Sequence, residues 1–112
     1  MAGANQQVFT DASRRGQPFW LPPGGWSNGL TDDSWAEIAE VSSDLVADLI
    51  LFRLRDAGVP GYAAHHRGVD QRGRTRQSVR IWVGCHAYGR AESTLLAYLP
   101  NLVRRLGPQV LA

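Results

Sequence analysis

The fold of this chain is decided by residues 47–62, which read ADLILFRLRDAGVPGY. Their apolar side chains recur at the spacing of a helix, and a Ser-Ser-Asp run at residues 42–44 offers a cap for its first turn. Gly58 ends the helical pattern, because glycine is favoured just past a helix end, and Pro60 cannot continue it. We therefore predict a helix that ends at about Ala57 and leads directly into a strand.

This first helix is apolar on two sides. Leu45, Leu49 and Phe52 fall on the side nearly opposite to the other apolar residues when each residue advances by 100°. The other side comprises Ala47, Ile50, Leu51 and Leu54. A helix on the surface of a small sheet buries only one stripe, so the second side predicts a cover, either an aromatic segment from the N-terminus or a second subunit.

The sequence around this helix predicts three strands and a second helix. Alternating or short apolar patterns mark strands at residues 35–41, 59–64 and 78–83. A helix with one apolar face follows and ends at Gly107, and Pro100 should kink or restart it because proline removes a backbone donor. The order strand-helix-strand-strand-helix predicts an α+β fold, with an antiparallel sheet and both helices on one face.

The first 33 residues differ from the single α+β domain expected at residues 34–112. Residues 1–17 are polar and without period, which predicts a flexible tail. Residues 18–26, called the strap below, hold three large aromatic side chains among prolines and glycines. Such a segment forms no regular element but is costly to leave in water. The strap either docks on its own domain, which its high effective concentration favours, or serves as a peptide for a partner.

The end of the first helix and the elements after it resemble a known family. The pattern Leu-x-x-Ala-Gly-Val-Pro at residues 54–60, the strand at residues 79–83 and a helix carrying Ala91 and Leu95 are similar to small prokaryotic signal-transducing domains. That family is distantly similar to the nitrogen-regulatory PII proteins. The resemblance covers roughly residues 35–99 and implies a ferredoxin-like or PII-like β-α-β-β-α sandwich.

The polar segment at residues 65–77 is the candidate functional site. Its candidate binding residues are His65, His66, Arg67, Arg72, Arg74 and Arg76. Arginines on a mobile, glycine-containing loop bind carboxylate or phosphate groups, so we expect an acidic protein, a phosphate-bearing ligand or a nucleic acid as the partner. The resemblance places this loop where PII proteins have their effector-contacting loop. The segment has no aromatic residue for base stacking, and a solvated hairpin tip without a partner is the alternative.

The distribution of charge is uneven along the chain. All twelve basic residues are arginine, and the net charge is +2. Residues 1–56 hold four arginines and eight acidic residues, whereas residues 57–112 hold eight arginines and two acidic residues. This asymmetry is typical of an anion-binding half, or of charges that face different sides of one fold.

Several classes of protein are excluded by the composition. Cys85 is the single cysteine, so no intramolecular disulfide forms, as in a reducing cytosol. Residues 1–17 lack the apolar core of a signal peptide. The longest apolar run, residues 49–52, is too short for a membrane span. We therefore expect a cytoplasmic protein without a membrane segment.

Thiol and imidazole groups form no recognisable site in the sequence. The pairs His65–His66 and Cys85–His86 are of metal-ligand type but lack a zinc spacing. Cys85 and His86 are also a conceivable nucleophile and base, yet adjacent residues rarely reach the needed geometry and nothing is placed to orient the imidazole. We expect no metal, no cofactor and no enzymatic activity.

Five apolar residues form the candidate interface, namely Trp20, Trp26, Trp82, Leu49 and Phe52. Trp82 needs a cover, and a core of about 75 ordered residues is thin, so we expect a homo-oligomer, a dimer or a trimer. The expected function is a small non-enzymatic regulatory or adaptor domain that acts through residues 65–77. The alternatives are a nucleic-acid-associated protein using the same arginines, and a structural subunit that docks through its N-terminal aromatic segment.

Overall fold

The computed structural model describes residues 18–110, and the tail predicted for residues 1–17 lies outside them. The strands are β1 (Pro18–Phe19), β2 (Trp26–Ser27), β3 (Trp35–Val41), β4 (Gly61–Val69) and β5 (Thr75–Gly84). The helices are α1 (Asp44–Asp56) and α2 (Tyr88–Leu106), and short 3₁₀ turns at Cys85–Ala87 and Pro108–Val110 flank α2.

All five strands belong to one antiparallel sheet with the order β1-β3-β5-β4-β2. The three long strands lie in the centre, and the two-residue strands β1 and β2 lie at the edges. Both helices pack on one face. The predicted α+β fold with an antiparallel sheet and two helices is therefore confirmed, and the order β3-α1-β4-β5-α2 is compatible with a ferredoxin-like arrangement.

One core lies between the sheet and the helices. Its largest fully buried side chains are Ile50, Leu54, Ile81, Leu102, Val41, Val59, Val79 and Val83. Ser43 caps α1, because its hydroxyl accepts a hydrogen bond from the backbone N of Val46. The predicted inner side of α1 is buried, whereas Leu45 and Phe52 on its outer side are 62% and 67% exposed.

The second helix does not restart at its proline. α2 runs from Tyr88 to Leu106 as one helix with Pro100 inside it. Pro100 is exposed, and Leu95 and Leu102 on either side of it are buried in the core. Packing of the apolar face therefore outweighs the backbone hydrogen bond that proline removes.

The strap crosses the face of the sheet that is opposite to the helices. It leaves β1 beside β3 at one edge and reaches β2 beside β4 at the other edge. The Tyr62 hydroxyl donates to Pro22 O over 2.6 Å and accepts from Gly25 N over 2.9 Å. A Cβ at Gly25 would collide with Ala63 O and the Tyr62 ring, so this close approach requires glycine. The strap thus docks on its own chain.

Trp82 lies beneath this crossing and is 5% exposed. Its ring is 6.1 Å from the ring of Tyr62, which is 6.3 Å from that of Trp35. Neither tryptophan of the strap supplies the cover expected for Trp82. Trp20 is 96% exposed. Trp26 packs on the helix side of the sheet, where its Nε1 donates to Asp48 Oδ1 over 2.8 Å.

Candidate functional site

The prediction that residues 65–77 form one long loop between two strands is wrong. β4 continues to Val69 and β5 begins at Thr75, and these two residues are paired. The turn between them is closed by hydrogen bonds from Asp70 N to Arg74 O at 2.8 Å and from Gly73 N to Asp70 O at 3.0 Å. Gly73 has a φ of +78°, a conformation that favours glycine. The candidate site is therefore a regular hairpin.

The end of this hairpin projects beyond the rest of the sheet. β3 ends at Val41, which pairs with Val79, and β2 pairs only with residues 62 and 63 of β4. From the pair His66–Ser78 to the turn, β4 and β5 pair with each other alone. We call residues 66–78 the ribbon.

The arginines of the ribbon are distributed over both of its faces. Ala63 and His65 face the helices, so by alternation Arg67 lies on that same face. Arg76 pairs with Gly68 and lies on the opposite face, with Arg80. Arg72 and Arg74 lie in and beside the turn. All four ribbon arginines are exposed, and within residues 18–110 none of them forms an ion pair.

Asp70 is the single acidic residue of the ribbon, and its side chain stabilises the turn. Its Oδ1 accepts hydrogen bonds from Arg72 N at 2.9 Å and from Arg74 N at 2.8 Å. Both bonds come from the backbone, and the guanidinium groups of these arginines are left to solvent. The ribbon is therefore a strongly cationic projection whose shape is fixed by its own backbone.

The two candidate histidines occupy opposite faces at the base of the ribbon. His65 Nε2 lies 2.6 Å from Asp44 Oδ1, and its ring is 5.3 Å from that of Trp26. His66 Nε2 accepts from the Arg80 guanidinium over 2.8 Å. Burial lowers the pKa of His66 below its ordinary 6.5, and the positive charge of Arg80 acts in the same direction. The structure thus anchors both histidines, while the four ribbon arginines stay accessible.

A charged network that sequence reasoning missed lies on the face opposite the helices. Glu37 is 3% exposed, and its Oε2 lies 3.7 Å from Arg80 Nε. Ser78 donates its hydroxyl to the carboxylate of Glu40. The signal in the sequence was the placement of Arg80 among apolar neighbours on its strand, and the structure pairs it with Glu40 of β3. The Arg80 guanidinium already interacts with Glu37 and His66, so it adds little accessible positive charge beside the ribbon.

An open pocket of about 300 Å³ lies at the base of the ribbon. It is lined by His65, His66, Arg67 and Gln77. Arg67 is the single charged group on its wall whose side chain has no ion pair in residues 18–110. One guanidinium binds one carboxylate or phosphate group, so the pocket extends the cationic surface but holds only a small part of a larger partner.

Asp32, Asp33 and His86 form a second cluster of titratable side chains, just before α2 begins. Asp32 Oδ1 lies 2.9 Å from His86 Nδ1, and Asp33 Oδ1 lies 3.7 Å from the same atom. Asp32 also accepts from the backbone N of His86. The hydrogen bond to His86 lowers the pKa of Asp32 and raises that of His86. These three side chains are of metal-ligand type and lie close together, and Asp32 already binds the ring and the backbone N of His86.

The histidines and the cysteine of the predicted pairs do not converge. His65, His66 and His86 each contact a different partner, namely Asp44, Arg80 and Asp32. Cys85 is a half-buried free thiol whose backbone N donates to Ser34 O.

The five candidate interface residues lie on different sides of the molecule. Phe52 is 67% exposed on α1, and Leu49 beside it is half-buried against the core. Trp82 lies on the other side of the sheet, under the strap. One continuous surface therefore cannot include both Phe52 and Trp82.

Comparison of the chain with protein-family models, with curated proteins and with solved structures finds no match. Neither α1 nor α2, the long helices of residues 18–110, is apolar enough over a sufficient length to cross a membrane. The geometry of the ribbon is therefore the main guide to function.

Proposed function

We propose that this chain is a small non-enzymatic regulatory or adaptor domain that binds an extended acidic segment of a partner protein through the ribbon. The observation that carries the proposal is the arrangement of four exposed arginines around a projecting two-stranded hairpin, without ion pairs in residues 18–110. Arginine pairs with carboxylates in a planar, bidentate geometry, which suits a chain of acidic side chains.

The split of the arginines between two faces argues for an extended partner. A small phosphate-bearing ligand is bound best by guanidinium groups that converge on one point. Arg67 and Arg76 lie on opposite faces of the ribbon, so a single phosphate cannot contact both. An acidic segment that passes over the turn contacts Arg72 and Arg74 first and then one or both faces.

The regulatory class is supported by the fold and by the resemblance of residues 35–99. A sheet order compatible with a ferredoxin-like arrangement supports a PII-like interpretation. In that interpretation the ribbon occupies the position of the effector-contacting loop, although here it is a paired hairpin. The alternative function, docking on a partner through the strap, would rely on the exposed side chain of Trp20. The strap is otherwise held on its own sheet by the hydrogen bonds of Pro22 and Gly25 to Tyr62.

A nucleic acid is the second candidate partner, and one observation favours it. The major groove of a duplex admits a two-stranded ribbon, and arginines on both faces would then reach phosphates on both walls. The absence of aromatic residues from residues 66–78 argues against recognition of single-stranded bases.

The proposal is tested with two variants that remove the same charge. One replaces Arg72, Arg74 and Arg76 with glutamine, and the control replaces Arg90, Arg104 and Arg105 of α2, which are also exposed. Binding to a fluorescent poly-glutamate peptide is followed by anisotropy at several salt concentrations. We expect the ribbon variant to lose at least about tenfold in affinity, because three charge-assisted contacts are removed, and the α2 variant to bind like the wild type.

Each outcome distinguishes the candidates. Equal losses in the two variants would mean that general charge, and not the ribbon, attracts the peptide. The wild-type chain could instead fail to bind the peptide but bind a DNA or RNA duplex, with an affinity that falls steeply as the salt concentration rises. That result would show that the partner of the ribbon is a nucleic acid and not an acidic protein.

A further inference from the structure

The outer ridge of α1 is the second feature that the fold leaves without a partner. Leu45, Leu49 and Phe52 follow one another at helical spacing along this ridge. Leu45 is 62% exposed, Phe52 is 67% exposed and Leu49 between them is half-buried. The strap, one of the two covers expected for this side, crosses the opposite face of the sheet at residues 22–25, and its last residue, Trp26, reaches only the flank of α1. The other expected cover is a second subunit.

The apolar ridge is continued sideways by the strand β2. Trp26 is half-buried, and its Nε1 donates to Asp48 on the flank of the ridge. Trp26 therefore packs against the edge of the core, on the flank of α1 that carries Asp48 and next to the ridge. An aromatic residue next to aliphatic ones, rimmed by charges, is the composition typical of an interface between proteins.

The charges along α1 are self-complementary. The first half of the helix carries Asp44 and Asp48, and the second half carries Arg53 and Arg55. When two such helices lie side by side in the same direction, acids face acids and arginines face arginines. When they lie antiparallel, Asp44 of each copy approaches Arg55 of the other. Within one chain Asp44 contacts His65 and Arg55 donates to Asn28 O, but both side chains remain exposed.

The apolar residues and the charged residues place the two-fold axis of such an antiparallel pair at nearly the same point along α1. Asp44 and Arg55 are equally distant from the Leu49–Ile50 bond, and Leu45 and Phe52 are equally distant from a point one residue earlier. One two-fold axis beside Leu49 therefore brings both pairs into register within one residue, or about 1.5 Å of helix rise.

We propose that the outer ridge of α1 binds a second copy of this chain in an antiparallel, two-fold symmetric dimer. The apolar centre is formed by Leu45, Leu49 and Phe52 of both copies, and Asp44–Arg55 pairs lie at its two ends. This surface adjoins the ribbon at Asp44, which contacts His65, but shares no residue with it, so separate variants test the dimer and the proposed binding of an acidic partner.

The dimer is tested by sedimentation of the full chain over a concentration series up to about 200 µM, a range that detects weak association. We expect dimerisation in the wild type and at least about tenfold weaker association for Phe52→Ser, because a central aromatic anchor is lost. Leu96→Ser is the matched control, since Leu96 on α2 is 73% exposed but lies off the ridge. Circular dichroism verifies that both variants stay folded.

A charge-swap experiment tests the antiparallel arrangement itself. Asp44→Arg and Arg55→Asp each place like charges together at both ends of the dimer, so each variant alone should associate several-fold more weakly. An equimolar mixture restores opposite charges at both ends and should recover the wild-type association. A wild-type chain that is monomeric throughout, a dimer indifferent to Phe52→Ser, or a mixture that recovers nothing would overturn the proposal.

Discussion

Asn28 and Gly61 are joined by two hydrogen bonds. The backbone N of Asn28 donates to Gly61 O over 2.9 Å, and Gly61 N donates to Asn28 Oδ1 over 3.0 Å. The side-chain Nδ2 of the same asparagine donates to Leu51 O and Val59 O. One buried side chain therefore ties the segment after the strap to α1 and to the start of β4.

Replacing Asn28 with alanine should lower the free energy of unfolding by about 2–3 kcal/mol, because several buried backbone groups lose their partner at once. Asn101→Ala, on the exposed side of α2, should change it by less than about 0.5 kcal/mol. Urea denaturation of both variants measures the difference. Equal effects would show that the Asn28 bonds are replaced by water.

Two glycine-to-alanine substitutions should act in opposite directions. Gly25→Ala places a Cβ against Ala63 O and Tyr62, so the strap must shift, and we expect a loss of about 1–3 kcal/mol. Gly89→Ala in α2 meets open space and should gain up to about 1 kcal/mol through helix propensity. Thermal unfolding of the two variants is the measurement, and a stabilised Gly25→Ala would contradict the docked position of the strap.

The Asp32–His86 pair should stabilise the fold in a limited pH window. The pKa of Asp32 is lowered from 3.8, so its contribution is present above that value and is lost as the pH falls. The pKa of His86 is raised from 6.5, so its contribution is full below that value and is lost as the pH rises through the raised pKa. The melting temperature lost in His86→Gln should therefore be greatest at about pH 5 and smaller at about pH 9.

The Asp32→Asn background provides the control for this pH dependence. Without the Asp32 carboxylate, the pH dependence of the His86→Gln effect should shrink to the smaller part that Asp33 contributes. A pH dependence that is undiminished in that background would show that Asp32 does not raise the pKa of His86.

His66 should produce the opposite trend. Its pKa is lowered from 6.5 by burial and by Arg80, so its contribution to stability is full above 6.5 and is lost as the pH falls through the lowered pKa. In His66→Gln, the amide oxygen still accepts from Arg80 but does not titrate. The urea midpoint of the wild type should therefore drop more than that of the variant between about pH 7 and about pH 5, and parallel curves would contradict a neutral His66.

The helix α1 was predictable because its signals agree with one another. Its apolar period, its capping serine and its terminal glycine all indicate the same element, and the inner side is buried as expected. The ends of β4 and β5 gave no such signal. Residues 66–69 and 75–77 are exposed or half-buried on both faces because they project beyond the sheet, so no alternation of apolar and polar residues marks them as strand.

The candidate site was only partly predictable for the same reason. The exposure of Arg67, Arg72, Arg74 and Arg76 follows from their charge. Their division between two faces follows from the pairing of β4 with β5, which the turn at Asp70–Gly73 fixes. The edge strands β1 and β2 are two residues each and depend on backbone hydrogen bonds, which leave no mark on side-chain pattern.

The strap also imposes an order on folding during synthesis. β2 and Asn28 precede their partners by more than thirty residues, since they bind Gly61, Tyr62 and Ala63. They have no position to occupy until β4 has left the ribosome, and β5, which joins β4 to β3, emerges later still. Trp26 is thus among the earlier described residues to be made, but it can take its position beside Ala63 only after β4 has been made.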